Sequence, residues 1–119
     1  MSVVEMLARV RDAGRDDVAL SAVSATELEH GVWRARNPRQ AARRRHFVDD
    51  LLSAVPVYPI TTEIARRAGK IDALSKQKGI VIPFQDLLIG ATALNLGYAV
   101  VTGDFRHFHL IPGLEVRRM

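Results

Sequence analysis

Asp86-Leu-Leu-Ile-Gly-Ala-Thr-Ala-Leu-Asn-Leu96, then Gly97, then Tyr98-Ala-Val-Val-Thr-Gly-Asp104 is the stretch that decides the fold. Its first part is apolar nearly all round, as a helix packed in an interior should be, and Gly97 closes it. Tyr98 to Thr102 is an unbroken apolar run of the kind found in parallel strands covered on both faces. Helix, glycine stop, buried strand and acid make one half of an α/β unit. One acid, Asp86, opens the helix, and another, Asp104, lies just past the strand.

The same grammar extends toward the N-terminus. Thr61 or Thr62 caps a helix carrying Ile64, Ala65, Ala68, Ile71 and Leu74 on one side, and Gly79 ends it. Val55 to Tyr58 is a short strand candidate between prolines. Asn37-Pro38 restarts a helix that runs to about Leu52, with Asn as cap and Pro in the first turn. Before it, Val18 to Val23 reads as a buried strand and Ala25 begins a helix with Leu28, Val32 and Ala35 on one side. Val3, Val4, Met6, Leu7 and Val10 keep helical spacing, so the segment from about Val3 to Ala13 is predicted to be a helix. Leu114 to Arg117 is a last short strand. Alternating strands and helices argue for a three-layer α/β/α domain with a mostly parallel sheet, formed by residues 1–119 as a single domain.

At 119 residues the chain can bury a core, and 48% hydrophobic with 25% charged residues is ordinary for a globular protein. No apolar run is long enough to span a bilayer, and the first residues lack the order of a signal peptide, so no membrane is expected and the cytoplasm is the natural placement. There is no cysteine, which excludes disulfides and thiolate metal sites. The net charge of +4 favours a polyanionic partner.

The candidate chemistry lies in three acids: Glu27 in Ser-Ala-Thr-Glu-Leu-Glu-His-Gly, Asp86 and Asp104. Taken singly each has a plain structural reading. Asp86 would be a helix cap, Glu27 a first-turn carboxylate favoured by the macrodipole, and Asp104 a turn former. Taken together, they sit where an open α/β sheet gathers residues at the carboxyl-end crevice. Crowded carboxylates repel, and a hard divalent cation such as Mg²⁺ or Mn²⁺ resolves that repulsion while activating water against a phosphate ester. Glu27 and Asp86 are then direct or water-mediated ligands, and Asp104 completes the set or orients the water. Thr102 could position a carboxylate by hydrogen bond. His30 is a candidate neighbour of the acids, while His107 and His109 fall in a loop and form no metal motif. Arg34, Arg36, Arg43, Arg44 and Arg45 make a basic stretch, read equally as a solvated face or as RNA contacts, with Arg34, Arg43 and Arg44 the named candidates. Trp33 is expected to be partly buried at an edge or interface.

Ser21-Ala-Val-Ser-Ala-Thr-Glu-Leu-Glu-His-Gly31, Asp86-Leu-Leu-Ile-Gly-Ala-Thr-Ala-Leu94 and Val100-Val-Thr-Gly-Asp-Phe-Arg-His-Phe108 with Ile111-Pro-Gly-Leu114 resemble, in this order, the PIN-domain ribonucleases, in particular the VapC-like toxins of bacterial toxin–antitoxin pairs. The resemblance covers nearly the whole chain. It implies a Mg²⁺- or Mn²⁺-dependent endoribonuclease acting on RNA, inhibition by a cognate antitoxin protein, and frequent homodimers. The family's acidic residues fall on Glu27, Asp86 and Asp104. One departure is plain: the first central strand, with the Asp that follows it as a principal ligand, has no counterpart. Glu5, Asp12, Asp16 and Asp17 are the only early acids and none follows an apolar strand. The expectation is an N-terminally shortened form of marginal stability, whose upstream codons would restore the strand and the Asp. The alternative is a weak or silent module that binds antitoxin or RNA. A response-regulator receiver is set aside, since Asp16-Asp17 precede their strand and no Lys follows the late one.

Overall fold

Ser21, Asn37 and Thr61 start three helices in the same way. The Ser21 hydroxyl accepts from the Val23 amide at 3.1 Å, Asn37 Oδ1 from Gln40 at 2.8 Å, and Thr61 Oγ1 from Ile64 at 3.1 Å. Each such bond satisfies a donor that the helix cannot, worth about 1 kcal/mol. In the computed structural model, which describes residues 5–10 and 16–118, these caps open α1 (Ala22–Trp33), α2 (Pro38–Ala54) and α3 (Thr62–Gln77). Pro38 occupies the first turn of α2, where its missing N–H costs nothing. The fourth helix, α4 (Phe84–Leu96), has no side-chain cap; Gly97 ends it in the left-handed region at φ 72°.

Five strands complete the chain: β1 (Met6–Val10), β2 (Asp16–Ser21), β3 (Val57–Tyr58), β4 (Ala99–Thr102) and β5 (Val116–Arg118). They form one sheet in the order β3-β2-β1-β4-β5. β2 pairs with β3 and β4 with β5 in parallel, whereas β1 is antiparallel to both β2 and β4. Four strands thus share one direction and the central one opposes them.

This corrects the N-terminal expectation. Met6–Val10 is a strand, not part of a helix, and the central place of the sheet is filled; Val3, Val4 and residues 11–13 lie outside the described residues. A five-residue apolar run cannot be assigned by periodicity alone. As a helix it would be too short to hold itself, being near the costly nucleus. Between β2 and β4 it supplies partners to two rows of backbone N–H and C=O groups that would otherwise be buried unpaired, at about 1–3 kcal/mol each. Tertiary pairing decides the outcome.

Alternation then assigns the two faces. Leu7, Ala19 and Val100 join Ile64 and Ala68 of α3 and Leu87, Ile89, Ala91 and Ala93 of α4 in one core. Leu20 packs from the other face with Leu28 and Val32 of α1 and Val48 of α2, and Met6 lies against that cluster. The three layers expected from the sequence are present. α1 starts at Ala22 rather than Ala25, and α4 starts at Phe84, two residues before Asp86. Asp86 is therefore a first-turn residue and not the cap, and Glu27 falls in the second turn of α1.

Candidate active site

β2 and β4 run side by side in direction, so Ser21 and Thr102 end at the same edge of the sheet. Because β1 opposes them, that edge receives its amino end. Register makes this concrete: Leu7 faces Ala19 on one side and Val100 on the other. Two residues back along the same ladders, Glu5 is level with Ser21 and Thr102. The Ser24 hydroxyl, in the first turn of α1, donates to the Glu5 carbonyl at 3.1 Å and holds it there.

The three acids read from the sequence reach this edge from separate elements. Glu27 comes from α1, Asp86 from the first turn of α4, and Asp104 from the loop after β4. Their charges bear on one another. The Glu27 carboxyl is raised above its usual range, mainly by burial and next by the Asp86 charge, with a hydrogen bond from Glu5 pulling the other way. Asp86 is raised by burial and by Asp104, opposed by His107, whose Nδ1 lies 3.0 Å from Asp86 Oδ2. Asp104 is held down to about 2, chiefly by the Arg106 guanidinium, which donates from Nη2 to Oδ2 at 2.7 Å and from Nε to Oδ1 at 3.0 Å.

Glu5 is the acid that sequence reasoning passed over. Its carboxyl is raised to about 7, first by burial and then by the charges of Glu27, Asp86 and Asp104. Its Oε2 is buried and, among the described residues, has no hydrogen-bond partner. Only strand direction brings it here, and a short apolar run does not encode direction. His107 was also missed, because its meeting with Asp86 joins loop and helix across the fold.

Thr102 is fully buried and works on the backbone of Asp104: its Oγ1 accepts from the Asp104 amide at 3.0 Å and donates to the Asp104 carbonyl at 3.2 Å. It shapes the loop and does not touch a carboxylate. Of the basic candidates, Arg34 and Arg43 are exposed, while Arg44 donates to the Gly31 carbonyl at 2.6 Å and ties α2 to α1. Arg45 pairs with Glu29, and Trp33, 79% exposed rather than partly buried, donates from Nε1 to Glu29 at 2.8 Å. His30 is exposed on α1. Among the described residues, no three His, Cys, Asp or Glu side chains already stand at metal-ligating spacing.

The arrangement has close counterparts. Ribonuclease VapC1 of Rickettsia felis is 35% identical over 98 residues, covering 82% of this chain and 72% of the relative. The tRNA(fMet)-specific endonuclease VapC of Salmonella typhimurium is 28% identical over 99 residues, covering 83% and 73%. Among solved structures, VapBC2 from Rickettsia felis bound to a promoter DNA fragment superposes with a TM-score of 0.76 at 25% identity, covering 85% of this chain and 74% of the other. FitAcB from Neisseria gonorrhoeae gives 0.73 at 27% identity, with coverage of 85% and 74%. The PIN domain family model matches residues 3–114, and with its acids gathered at the carboxyl edge of this sheet the chain belongs to that family.

Proposed function

We propose that this chain is the endoribonuclease toxin of a toxin–antitoxin pair, hydrolysing RNA phosphodiester bonds with a divalent cation, Mg²⁺ or Mn²⁺, held by Glu27, Asp86 and Asp104. One observation carries the reading: three acids from three different elements lie at one edge of the sheet, and two of them are raised by burial and then by a neighbouring acid, Glu27 by Asp86 and Asp86 by Asp104. The names of the relatives, ribonuclease and endonuclease, support the activity, and the VapBC structures support a cognate antitoxin as partner.

The donor set suits the cation. Carboxylate oxygens are the ligands that Mg²⁺ and Mn²⁺ prefer. Burial chiefly, and then repulsion, raises Glu27 and Asp86, and the repulsion is what a cation would relieve. Asp104 faces Arg106, but both side chains are largely exposed, at 40% and 78%. Such an exposed pair is screened by solvent, so Asp104 exchanges it readily.

When bound, the cation supplies a water of lowered pKa and charge stabilisation at the phosphate. The chain's own groups do the rest. Thr102 fixes the loop that presents Asp104, and His107 holds the Asp86 carboxylate in place. Arg34 and Arg43, exposed on a chain of net charge +4, are offered as RNA contacts, and a homodimer is the expected assembly. Water adds to phosphorus as one phosphorus–oxygen ester bond breaks, leaving a phosphate on one fragment and a hydroxyl on the other.

A second reading, a weak or silent module that binds antitoxin or RNA, is favoured by the absence of three acids at ligating spacing among the described residues. The test is Mn²⁺-dependent cleavage of a labelled RNA pool by the purified chain beside Asp86→Asn. Cleavage lost with EDTA and with the substitution supports the enzyme. No cleavage from a folded chain selects the binding module, and equal cleavage by both proteins refutes the site.

A further inference from the structure

We propose that Trp33 is a stacking platform for an unpaired RNA base, at the far end of the helix that carries Glu27. The inference rests on the reading of RNA as the substrate. It adds a contact to a base, where the arginines offer contacts to phosphate.

An exposed apolar side chain is ordinary in itself. At 79%, Trp33 is the most exposed of the large hydrophobic residues described, and its ring is nevertheless held still. Nε1 donates to Glu29 Oε2 at 2.8 Å, one turn back on α1. Glu29 is in turn gripped by Arg45 of α2, whose Nη1 donates to Oε1 at 2.8 Å and whose Nη2 donates to Oε2. Asp49, 3.3 Å from Arg45 Nη1, steadies the guanidinium. These bonds fix one edge of the indole and leave its faces to solvent. A ring already ordered loses little freedom when a planar ligand lies on it.

The surroundings select the ligand. Arg34 and Arg36 in the α1–α2 connection, and Arg39 and Arg43 on α2, are all exposed. Glu29, the acid that holds the ring, is neutralised by Arg45. A protein partner is met by a contiguous apolar patch, whereas an aromatic ring followed by cations is the chemistry that takes a splayed base and its phosphates. Place agrees with chemistry. Glu27 and Trp33 are six residues apart on α1, about 9 Å along its axis. A strand with one phosphate at the acids can lay the base of a nearby nucleotide on the ring. A duplex cannot, because its bases are stacked on one another.

Trp33 is the chain's one tryptophan, so its own fluorescence reports the contact. The test titrates oligouridine, and an RNA duplex of equal length, into the unsubstituted chain in EDTA. Anisotropy of the labelled RNAs then compares that chain with Trp33→Leu and Trp33→Phe. Oligouridine should quench the emission and the duplex should not. Single-strand affinity should fall at least about fivefold in Trp33→Leu and be largely kept in Trp33→Phe, which retains a ring. Oligouridine bound with unchanged emission, and equally well by Trp33→Leu, overturns the platform and leaves the RNA reading standing. Equal quenching by the duplex overturns base stacking as its cause. No binding of either RNA by the unsubstituted chain overturns the RNA reading and the platform with it. Emission from the free chain that moves to the red on dilution shows that a second copy covers the ring, which also overturns the proposal.

Discussion

Glu5, Glu27 and Asp86 are all raised above their ordinary range, and this fixes the sign of a pH effect. A carboxyl raised on folding binds its proton more tightly in the native state than in the unfolded one. Its stabilising contribution is complete below the unfolded value and is lost as pH rises through the folded value. For Glu5 the window runs from the ordinary 4.5 up to about 7. In EDTA, the urea midpoint of the unsubstituted chain should therefore fall across that window. Glu5→Gln, which cannot ionise, should flatten most of the slope, and an unchanged slope would remove Glu5 from the cluster. Saturating Mn²⁺ should flatten it too. At this scale the sequence was partly legible. Glu27, Asp86 and Asp104 could be read because each follows a recognisable element boundary. Glu5 and His107 could not, because the first depends on strand direction and the second on a contact between distant segments.

Among elements, the capped helices were readable because their signals are local: Asn37-Pro38, Thr61 and Gly97 act within one turn of themselves. β1 was misread because its period is ambiguous and its partners lie elsewhere. The antiparallel ladder places Ala8 opposite Ala99, both buried, in a chain without cysteine. Opposed Cα atoms in such a ladder fall within disulfide range. Ala8→Cys/Ala99→Cys should form an intramolecular disulfide under mild oxidation, seen as faster migration on non-reducing gels and as loss of free thiol. A helical or parallel N-terminal segment would not bring these two positions together in this register. α4 carries a second check. A Cβ on Gly90 would lie 2.5 Å from Ile111 Cδ1 and 3.3 Å from Leu114 Cδ2, so helix and following loop touch through a missing side chain. Gly90→Ala should lower stability by about 1–3 kcal/mol through overpacking, despite its better helix propensity, as measured by urea unfolding. A gain in stability would show that Ile111 swings aside without cost.

For the molecule as a whole, the charge balance sets how a polyanion is met. Seventeen Lys and Arg against thirteen acids leave +4, and the acids of the site subtract locally from what an approaching phosphate feels. Binding of single-stranded RNA in EDTA should weaken steadily with salt, by about 0.7 log units per tenfold rise for each phosphate neutralised. Arg34→Ala/Arg43→Ala should shallow that dependence by one to two such steps, read by fluorescence anisotropy from about 50 to 200 mM salt. An unchanged slope would return these arginines to the role of a solvated face. The α/β/α architecture could be read from the alternation of elements, since layering follows from burying apolar faces; the reversed centre of the sheet could not, since it follows from which segment is at hand to fill a gap.

That central strand also dictates when the protein can exist. β1 lies between β2, which follows it almost at once, and β4, whose Ala99–Thr102 leave the ribosome late. During synthesis the β1–β2 pair waits with both edges open until β3 and β4 emerge, and Glu5 has neither Asp86 nor Asp104 beside it. The sheet and the acidic cluster are completed by the same late event. A chain proposed to cut RNA would thus gather its acids only once β4 has emerged.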